Sequence, residues 1–328
     1  MRVSVAMCTY NGARYVLDQI DSILNQTLVP DEIVISDDAS QDGTLEVIEE
    51  HLRELRHAGT IIPSFVILRN TTPLGVTANF AQAISATSGE VVFLCDQDDR
   101  WAPTKVQKMS SVFISDHSVL LAFSDATLIN GEGLEVAGSL FRRLTLSSQE
   151  REALRSRRAV PILIKRNVVT GATVAFRRSL LDIALPFPES WVHDEWLSML
   201  AALRDGLNLV DGTLTEYRLH ESNQIGAQKR TLLYRVRRTF EPRGERNRRL
   251  QQRSSDLAHA LSDRNVTPNS DYRHFVSRKA RFDEVRLSLP ASRLRRLPTI
   301  FTELRRGNYR DYSSQGTLDV LRDFMQAS

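Results

Sequence analysis

Two aspartates one residue apart, Asp96 and Asp98, follow the apolar run Val91-Val92-Phe93-Leu94. In a tight turn such a pair presents hard oxygen ligands of the kind that Mg²⁺ and Mn²⁺ take. A metal held there can grip a diphosphate and neutralise charge on a departing nucleoside diphosphate. The pattern alone is equally that of an Asp-rich turn, so the remaining segments carry the decision. Polar groups also follow three other apolar runs: Thr9-Tyr10-Asn11-Gly12, Asp37-Asp38-Ala39-Ser40 and Arg69-Asn70. Asp42-Gly43-Thr44 reads as a helix cap. Cys8 and Cys95 belong to no CxxC or His-rich cluster, which argues against zinc. No GxGxxG and no Gly-rich triphosphate loop is present, which disfavours a dehydrogenase and a nucleotidyltransferase.

The elements that must position these groups alternate in type. Val3–Cys8, Ile33–Ile35, Phe65–Leu68 and Glu90–Leu94 read as buried strands. Between them lie helical patterns from Ala13 to Leu24, from Thr44 with Leu45, Ile48, Leu52 and Leu55 in phase, and from Val76 to Ser85. Such alternation predicts an α/β fold, a parallel sheet with helices on both faces. Ligands in such sheets bind beyond the carboxyl ends of the strands, where the polar segments fall. Further on, Val119–Phe123 and Thr127–Ile129 read as two strands, with Asn130-Gly131 a turn. Residues 145–160 read as an exposed helix, Thr173–Phe176 as a strand and 194–204 as a helix. Leu207–Val210 and Thr213–Tyr217 read as a strand pair turning at Asp211-Gly212.

The chain has 328 residues, of which 41% are apolar and 25% charged, ordinary values for a globular protein. Collagen-like, disordered and disulfide-scaffold classes are excluded. No apolar run nears the ~20 residues a spanning helix needs, and no signal peptide precedes the first strand, so a cytoplasmic protein is expected. The net charge of +3 hides a division. Residues 1–228 carry 20 Lys and Arg against 29 Asp and Glu, whereas residues 229–328 carry 23 against 11. Two domains are expected, 1–228 and a basic helical region 229–328, with Pro242 and Gly244 near the boundary.

In their order and spacing, Thr9-Tyr10-Asn11, Asp37-Asp38-Ala39-Ser40-Gln41-Asp42-Gly43-Thr44, Asn70 with Leu74-Gly75 and Asn79, and Cys95-Asp96-Gln97-Asp98-Asp99-Arg100-Trp101 resemble the family 2 glycosyltransferases. These are inverting enzymes with the GT-A fold. Thr170-Gly171-Ala172-Thr173 is similar to the family's acceptor-side loop, and His193-Asp194-Glu195-Trp196 to its catalytic-base motif. Tyr217-Arg218-Leu219-His220-x-x-Asn223 is similar to the closing segment of a rhamnosyltransferase-like branch. The resemblance is dense over residues 2–228 and loose over Tyr309–Phe324. It implies a nucleotide-sugar half over about 1–100 and an acceptor half over about 101–228.

Carried over, the resemblance implies that Thr9, Tyr10 and Asn11 lie against the nucleoside, that Asp38 or Asp37 bonds the base edge, and that Arg69 lies near the diphosphate. Asp96 and Asp98 would form the DxD motif for Mn²⁺ or Mg²⁺, with Asp98 the direct ligand. His220 would close the metal sphere or touch the phosphates. Asp99 would face the sugar or support the turn. Gly171 would line the acceptor side, and Asp194 would be the catalytic base. Trp101 and Trp191 offer faces to an acceptor sugar or pack in the core. His193 reads as a structural neighbour, and Arg100 and Arg218 as surface or salt-bridge groups. The implied donor is a dTDP- or UDP-sugar, rhamnose among the candidates. The implied acceptor is a glycan or lipid-linked hydroxyl in bacterial cell-surface polysaccharide assembly. A non-catalytic binding or scaffold protein of the same fold is the rival reading.

For the tail, Leu294, Leu297, Ile300, Phe301 and Leu304 are expected to pack on neighbouring helices or a homodimer partner, leaving Arg293, Arg295, Arg296, Arg305 and Arg306 in solvent. An anionic membrane surface at the inner face of the cell membrane is the competing partner. Nucleic acid is not expected, because no aromatics interleave with the basic residues.

Overall fold

The structure, a computed structural model, describes residues 1–220, 243–263, 266, 268 and 272–326. Two compact units emerge. The first comprises Met1–Arg157, Val168–Phe187 and the chain from Val192; the second comprises Arg158–Asn167, Pro188–Trp191 and the described tail. The expected boundary at 228 and Asn223 lie outside the described residues.

The first unit is built on one mixed sheet. Strands β1 (Val3–Thr9), β2 (Glu32–Asp37), β3 (Ser64–Arg69) and β4 (Val91–Asp96) are mutually parallel in the order β3-β2-β1-β4. Their connections are helices α1 (Val16–Leu24), α2 (Thr44–His57) and α3 (Val76–Ala86). Completely buried strands such as β2 need apolar residues on both faces, which is why they appear as continuous apolar runs rather than alternating ones. Beyond β4 the order continues β8 (Val174–Arg177), β6 (Leu121–Ile129), β9 (Leu207–Arg218) and β5 (Arg100–Trp101), with β7 (Glu135–Ser139) on β6. β8 runs antiparallel to both β4 and β6, while β6 and β9 are parallel. The sheet is therefore mixed, with four strand pairings parallel and four antiparallel among the described residues, rather than mostly parallel as expected, and helix α4 (Lys105–Ser115) follows β5. Val5, Met7, Ile35, Phe93, Met109 and Phe113 are among its wholly buried core residues.

Two expectations about the second half are corrected. The segments read as Val119–Phe123 and Thr127–Ile129 belong to one strand, β6, which begins at Leu121. Ser124 and Asp125 interrupt the apolar pattern but not the strand, because Asp125 Oδ1 accepts the backbone N–H groups of Ala126 and Phe141. Likewise Leu207–Val210 and Thr213–Tyr217 form the single strand β9. The register against β6 shifts beside Ser124 and Asp125, where Val210 and Thr213 face successive residues. Asp211-Gly212, with Gly212 at φ +102°, is therefore a bulge inside β9 and not a turn.

The second unit is helical. It contains Arg243–Asp263, Tyr272–Leu287, Arg293–Arg305 and Thr317–Met325, and the first two pack together. Its interior is unusually polar. Asp323 is completely buried and receives two hydrogen bonds from Arg286 at 2.6 and 3.0 Å, one from Arg246 at 3.2 Å and one from the Tyr309 hydroxyl at 2.9 Å. Arg296, expected in solvent, is also buried, and its guanidinium donates to the carbonyls of Pro290, Ala291, Asp323, Phe324 and Gln326. It thus satisfies acceptors that the end of helix Thr317–Met325 leaves open.

Candidate active site

The carboxyl ends of β1, β2 and β4 lie side by side, with Thr9 opposite Asp37 and Cys8 opposite Asp96. Thr9 Oγ1 donates to Asp37 Oδ1 at 2.7 Å, and Ser40 donates to Asp37 from both its N–H and hydroxyl. Asp38 accepts the backbone N–H groups of Leu74 and Gly75 at 2.6 and 3.0 Å, which fixes the loop leading to α3. Asn11 and Ala39 adopt positive φ values of 48° and 64°. Asn11 Oδ1 accepts from Gln41 N–H, and Ser40 Oγ accepts from Asn11 N–H, so the two loops are laced together. Gln97 completes the edge: its Oε1 accepts Tyr10 N–H at 2.8 Å and its Nε2 donates to Tyr10 O at 2.9 Å. The side chain of Tyr10 is left exposed above this edge.

The acidic turn comes next. Asp96 and Asp98 are half-buried, and Asp99 is buried. Burial, then the charges of Asp98 and Asp194, push Asp96 up to about 7. Asp194, about a hundred residues away in sequence, therefore shares the site electrostatically. It sits in the first turn of helix His193–Leu203, where its Oδ2 accepts Gly171 N–H at 2.9 Å and its Oδ1 accepts Glu195 N–H at 2.7 Å. Burial and the neighbouring Glu195 carboxylate push Asp194 up to about 7, with those amide bonds opposing the rise. His220 Nε2 lies 2.6 Å from Asp98 Oδ2, and its ring stacks on Tyr15. His193 stacks on Phe80 at 4.0 Å, and burial lowers it to about 3, so its imidazole is neutral.

Three side chains that positional reading passed over hold this centre together. Arg218, read from sequence as a surface or salt-bridge group, is buried and salt-bridged. Its N–H donates to Asp99 Oδ1 and its Nε to Asp98 O, while its Nη2 reaches Asp18 Oδ2 at 3.1 Å. Lys105 is wholly buried, and its ammonium donates to Ala172 O and Thr215 Oγ1 at 2.7 and 2.9 Å. Burial lowers it to about 7, against the pull of Cys95, Asp99 and Asp96. The available signal was phase: Lys105 precedes Met109 and Phe113 at four-residue steps, on the buried face of α4. Tyr217 lies in the field of all four aspartates, and burial raises it, so the phenol stays protonated.

Three residues named for ligand contact have protein neighbours. Arg69 pairs with Glu49 of α2 at the exposed end of β3. Trp101 is buried beside Phe93 with the Lys105 ammonium 4.1 Å from its ring centre, which is a packing role. Trp191 belongs to the second unit, where its Nε1 donates to Arg253 O and the Arg253 guanidinium covers its ring. Neither tryptophan presents a free face to a sugar.

Among the described residues no group of three or more His, Cys, Asp or Glu side chains forms a metal cage. Mg²⁺ sites that also bind phosphates commonly need only one or two carboxylates. The charges of Asp98 and Asp194 bear on Asp96 and those of Asp98 and Asp96 on Asp99, so the site concentrates carboxylates whose oxygen donors suit a hard divalent cation.

The strand order, the acidic turn after β4 and the later antiparallel strand β8 define the GT-A class of folds. The chain belongs to glycosyl transferase family 2, a family of sugar-transferring enzymes, whose model matches residues 4–182. An uncharacterized protein of Mycobacterium bovis is 30% identical over 223 residues, which are 66% of this chain and 59% of that relative. The chain thus spans about three-fifths of that protein's length. The dTDP-rhamnosyl transferase RfbG of Shigella flexneri is 26% identical over 230 residues, covering 67% of this chain and 74% of RfbG. The putative teichuronic acid biosynthesis glycosyltransferase TuaG of Bacillus subtilis is 24% identical over 231 residues, covering 69% of this chain and 82% of TuaG. Among solved structures, S. aureus TarS with UDP-GlcNAc aligns over 99% of this chain and 90% of that one, with TM-score 0.56 and 16% identity. The mannosyltransferase PcManGT of Pyrobaculum calidifontis, in complex with GDP-Man and Mn²⁺, aligns over 98% and 85%, with TM-score 0.52 and 17% identity. At those identities the likeness is one of fold.

Proposed function

We propose that this protein is an inverting, metal-dependent glycosyltransferase that moves a sugar from a nucleoside-diphosphate donor to a hydroxyl of a glycan or lipid-linked acceptor. The observation that carries the proposal is the convergence of Asp194 with the Asp96–Asp98 turn. An inverting transfer is one displacement at the anomeric carbon. The acceptor oxygen attacks, its proton passes to a carboxylate, and the nucleoside diphosphate leaves with the bonding pair. Asp194 suits the proton's destination: both its oxygens are oriented by backbone N–H bonds, and its affinity for a proton is raised toward neutral pH. Asp98 and Asp96 would hold Mn²⁺ or Mg²⁺, with His220 orienting Asp98. A bound cation supplies charge neutralisation at the departing diphosphate. Tyr10 supplies an exposed aromatic face beside the Asp37–Asp38 loop, fitted to a nucleoside. The name of RfbG supports a dTDP-sugar, rhamnose included, over the UDP-sugar alternative, and that of TuaG supports a role in cell-surface polysaccharide synthesis.

A thermal-shift panel of UDP-, dTDP- and GDP-sugars with and without Mn²⁺ tests this reading. One donor is expected to raise the melting temperature only with Mn²⁺, since saturation at about 100 Kd stabilises by about 2.7 kcal/mol. The same donor should then release nucleoside diphosphate. If no donor stabilises the protein under either condition, the reading fails.

A further inference from the structure

Four of the five tail apolar residues expected to pack on neighbouring helices or a homodimer partner are exposed in the single chain. Of these five apolar residues of helix Arg293–Arg305 only Ile300 is buried; Leu294 is 75% exposed and Phe301 52%, with Leu297 and Leu304 also exposed. These four fall at steps of three, four and three residues, so they share one stripe. The neighbouring helix Thr317–Met325, which packs on this one, adds exposed Leu318 and Leu321.

The charges are sorted in the opposite sense. Glu303, Asp319 and Asp323, the only acidic residues of the two helices, are all buried. Glu303 is paired with Arg306 and hydrogen-bonded to Asn308; Asp319 is paired with Arg322, and Asp323 with Arg286. Arg293, Arg295, Arg305 and Arg306 remain exposed around the stripe. Arg293, Arg295 and Arg305 have no carboxylate partner among the described residues, and Arg305 lies 4.3 Å over the Phe301 ring. The result is an exposed apolar stripe fringed by cations alone.

We infer that this face docks on an anionic lipid surface. Leucine and phenylalanine side chains can enter the boundary between headgroups and acyl chains, while flanking arginines meet anionic headgroups. A second copy of the same face would oppose arginines to arginines, which costs energy where a lipid surface supplies the complementary sign. Among the described residues no helix is long and apolar enough to cross a membrane, so the mode is lying on the surface. The inference rests on the tail alone and stands apart from the proposed transfer reaction.

Co-sedimentation of the full chain with sucrose-loaded vesicles tests it. Binding is expected to vesicles of phosphatidylglycerol and phosphatidylcholine at low salt, at least ~10-fold stronger than to pure phosphatidylcholine, and weakened by 0.5 M salt. Leu297→Asp with Phe301→Asp should abolish binding, and Arg293→Glu with Arg295→Glu should reduce it ~10-fold. Circular dichroism and the melting temperature should be unchanged, since every altered side chain is exposed. No binding to the anionic vesicles at low salt, or equal binding to neutral ones, overturns the inference. So does a dimer in solution that Leu297→Asp with Phe301→Asp dissociates while vesicle binding is absent. Nucleoside diphosphate release by both variants reports on the transfer reaction separately.

Discussion

Asp194 occupies the first turn of its helix, where the dipole favours a carboxylate anion, yet burial and Glu195 oppose ionisation. The balance leaves a base whose proton affinity is matched to neutral pH. Replacing it with asparagine keeps the shape and removes the proton acceptor. Asp194→Asn is expected to lower kcat 10²–10⁴-fold, about 3–5 kcal/mol of barrier, with donor affinity by calorimetry retained. For the wild type, kcat/KM should rise with pH and level off above about 7, because only the ionised carboxylate accepts the proton. Stability should run the other way. A carboxyl raised from 3.8 to about 7 binds its proton more tightly folded than unfolded, so folding is weakened as pH climbs between those values. Asp194→Asn should therefore be more stable than the wild type at pH 8, by about 1–3 kcal/mol given partial solvent exposure, with the difference vanishing below pH 4. Urea titrations at the two pH values measure this.

At the scale of elements, the site is an agreement among segments far apart in the chain. The end of β9 supplies Arg218 to the acidic turn, the start of α4 supplies Lys105 to the turn Gly171–Thr173, and that turn supplies the Gly171 N–H to Asp194. Lys105 is thus a positioning residue at one remove from the base. Lys105→Met keeps a long side chain but removes the ammonium from the Trp101 ring and takes one donor each from Ala172 O and Thr215 Oγ1, leaving the Thr215 hydroxyl on Ala172 O at 3.2 Å. A loss of about 1–3 kcal/mol in stability is expected. Because a cation that lowers Asp96 is also removed, the pH at which Mn²⁺ binding sets in should move upward in the same variant. Lys105→Arg, which retains a cation, should restore part of that pH shift even if it does not restore stability.

At the scale of the whole molecule, the charge division of the sequence resolves into two different structural uses. In the first unit, acidic residues gather at the sheet's carboxyl edge. In the second, Arg246, Lys279, Arg286, Arg296 and Arg322 point inward, bonded to buried aspartates or to backbone carbonyls, so a share of the tail's positive charge is internal framework. Removing one member of such a network strands the others without partners. Asp323→Ala should destabilise the tail by about 3–5 kcal/mol, read as faster amide exchange in helices Tyr272–Leu287 and Thr317–Met325.

Continuous apolar runs ending in polar residues made β1 to β4 and the Asp96–Asp98 turn legible, because burial on both faces of a parallel strand leaves a local imprint. The sequence likewise determined the family, since the motifs recur in fixed order. It was misleading where a short polar interruption read as a break between strands, at Ser124-Asp125, or as a turn, at Asp211-Gly212, because a bulge and a turn draw on the same residues. What burial does to a charged or aromatic residue was decided only in three dimensions. Arg296 read as a solvent group and Arg218 as a surface or salt-bridge group until distant carbonyls and carboxylates were brought around them, and Lys105 did not stand out at all. Trp101 and Trp191 read equally as sugar platforms or core residues until the structure showed their faces covered. Helical periodicity in the tail showed a stripe of apolar residues beside arginines; whether that stripe faces a core or the outside depends on contacts between helices, which periodicity does not encode.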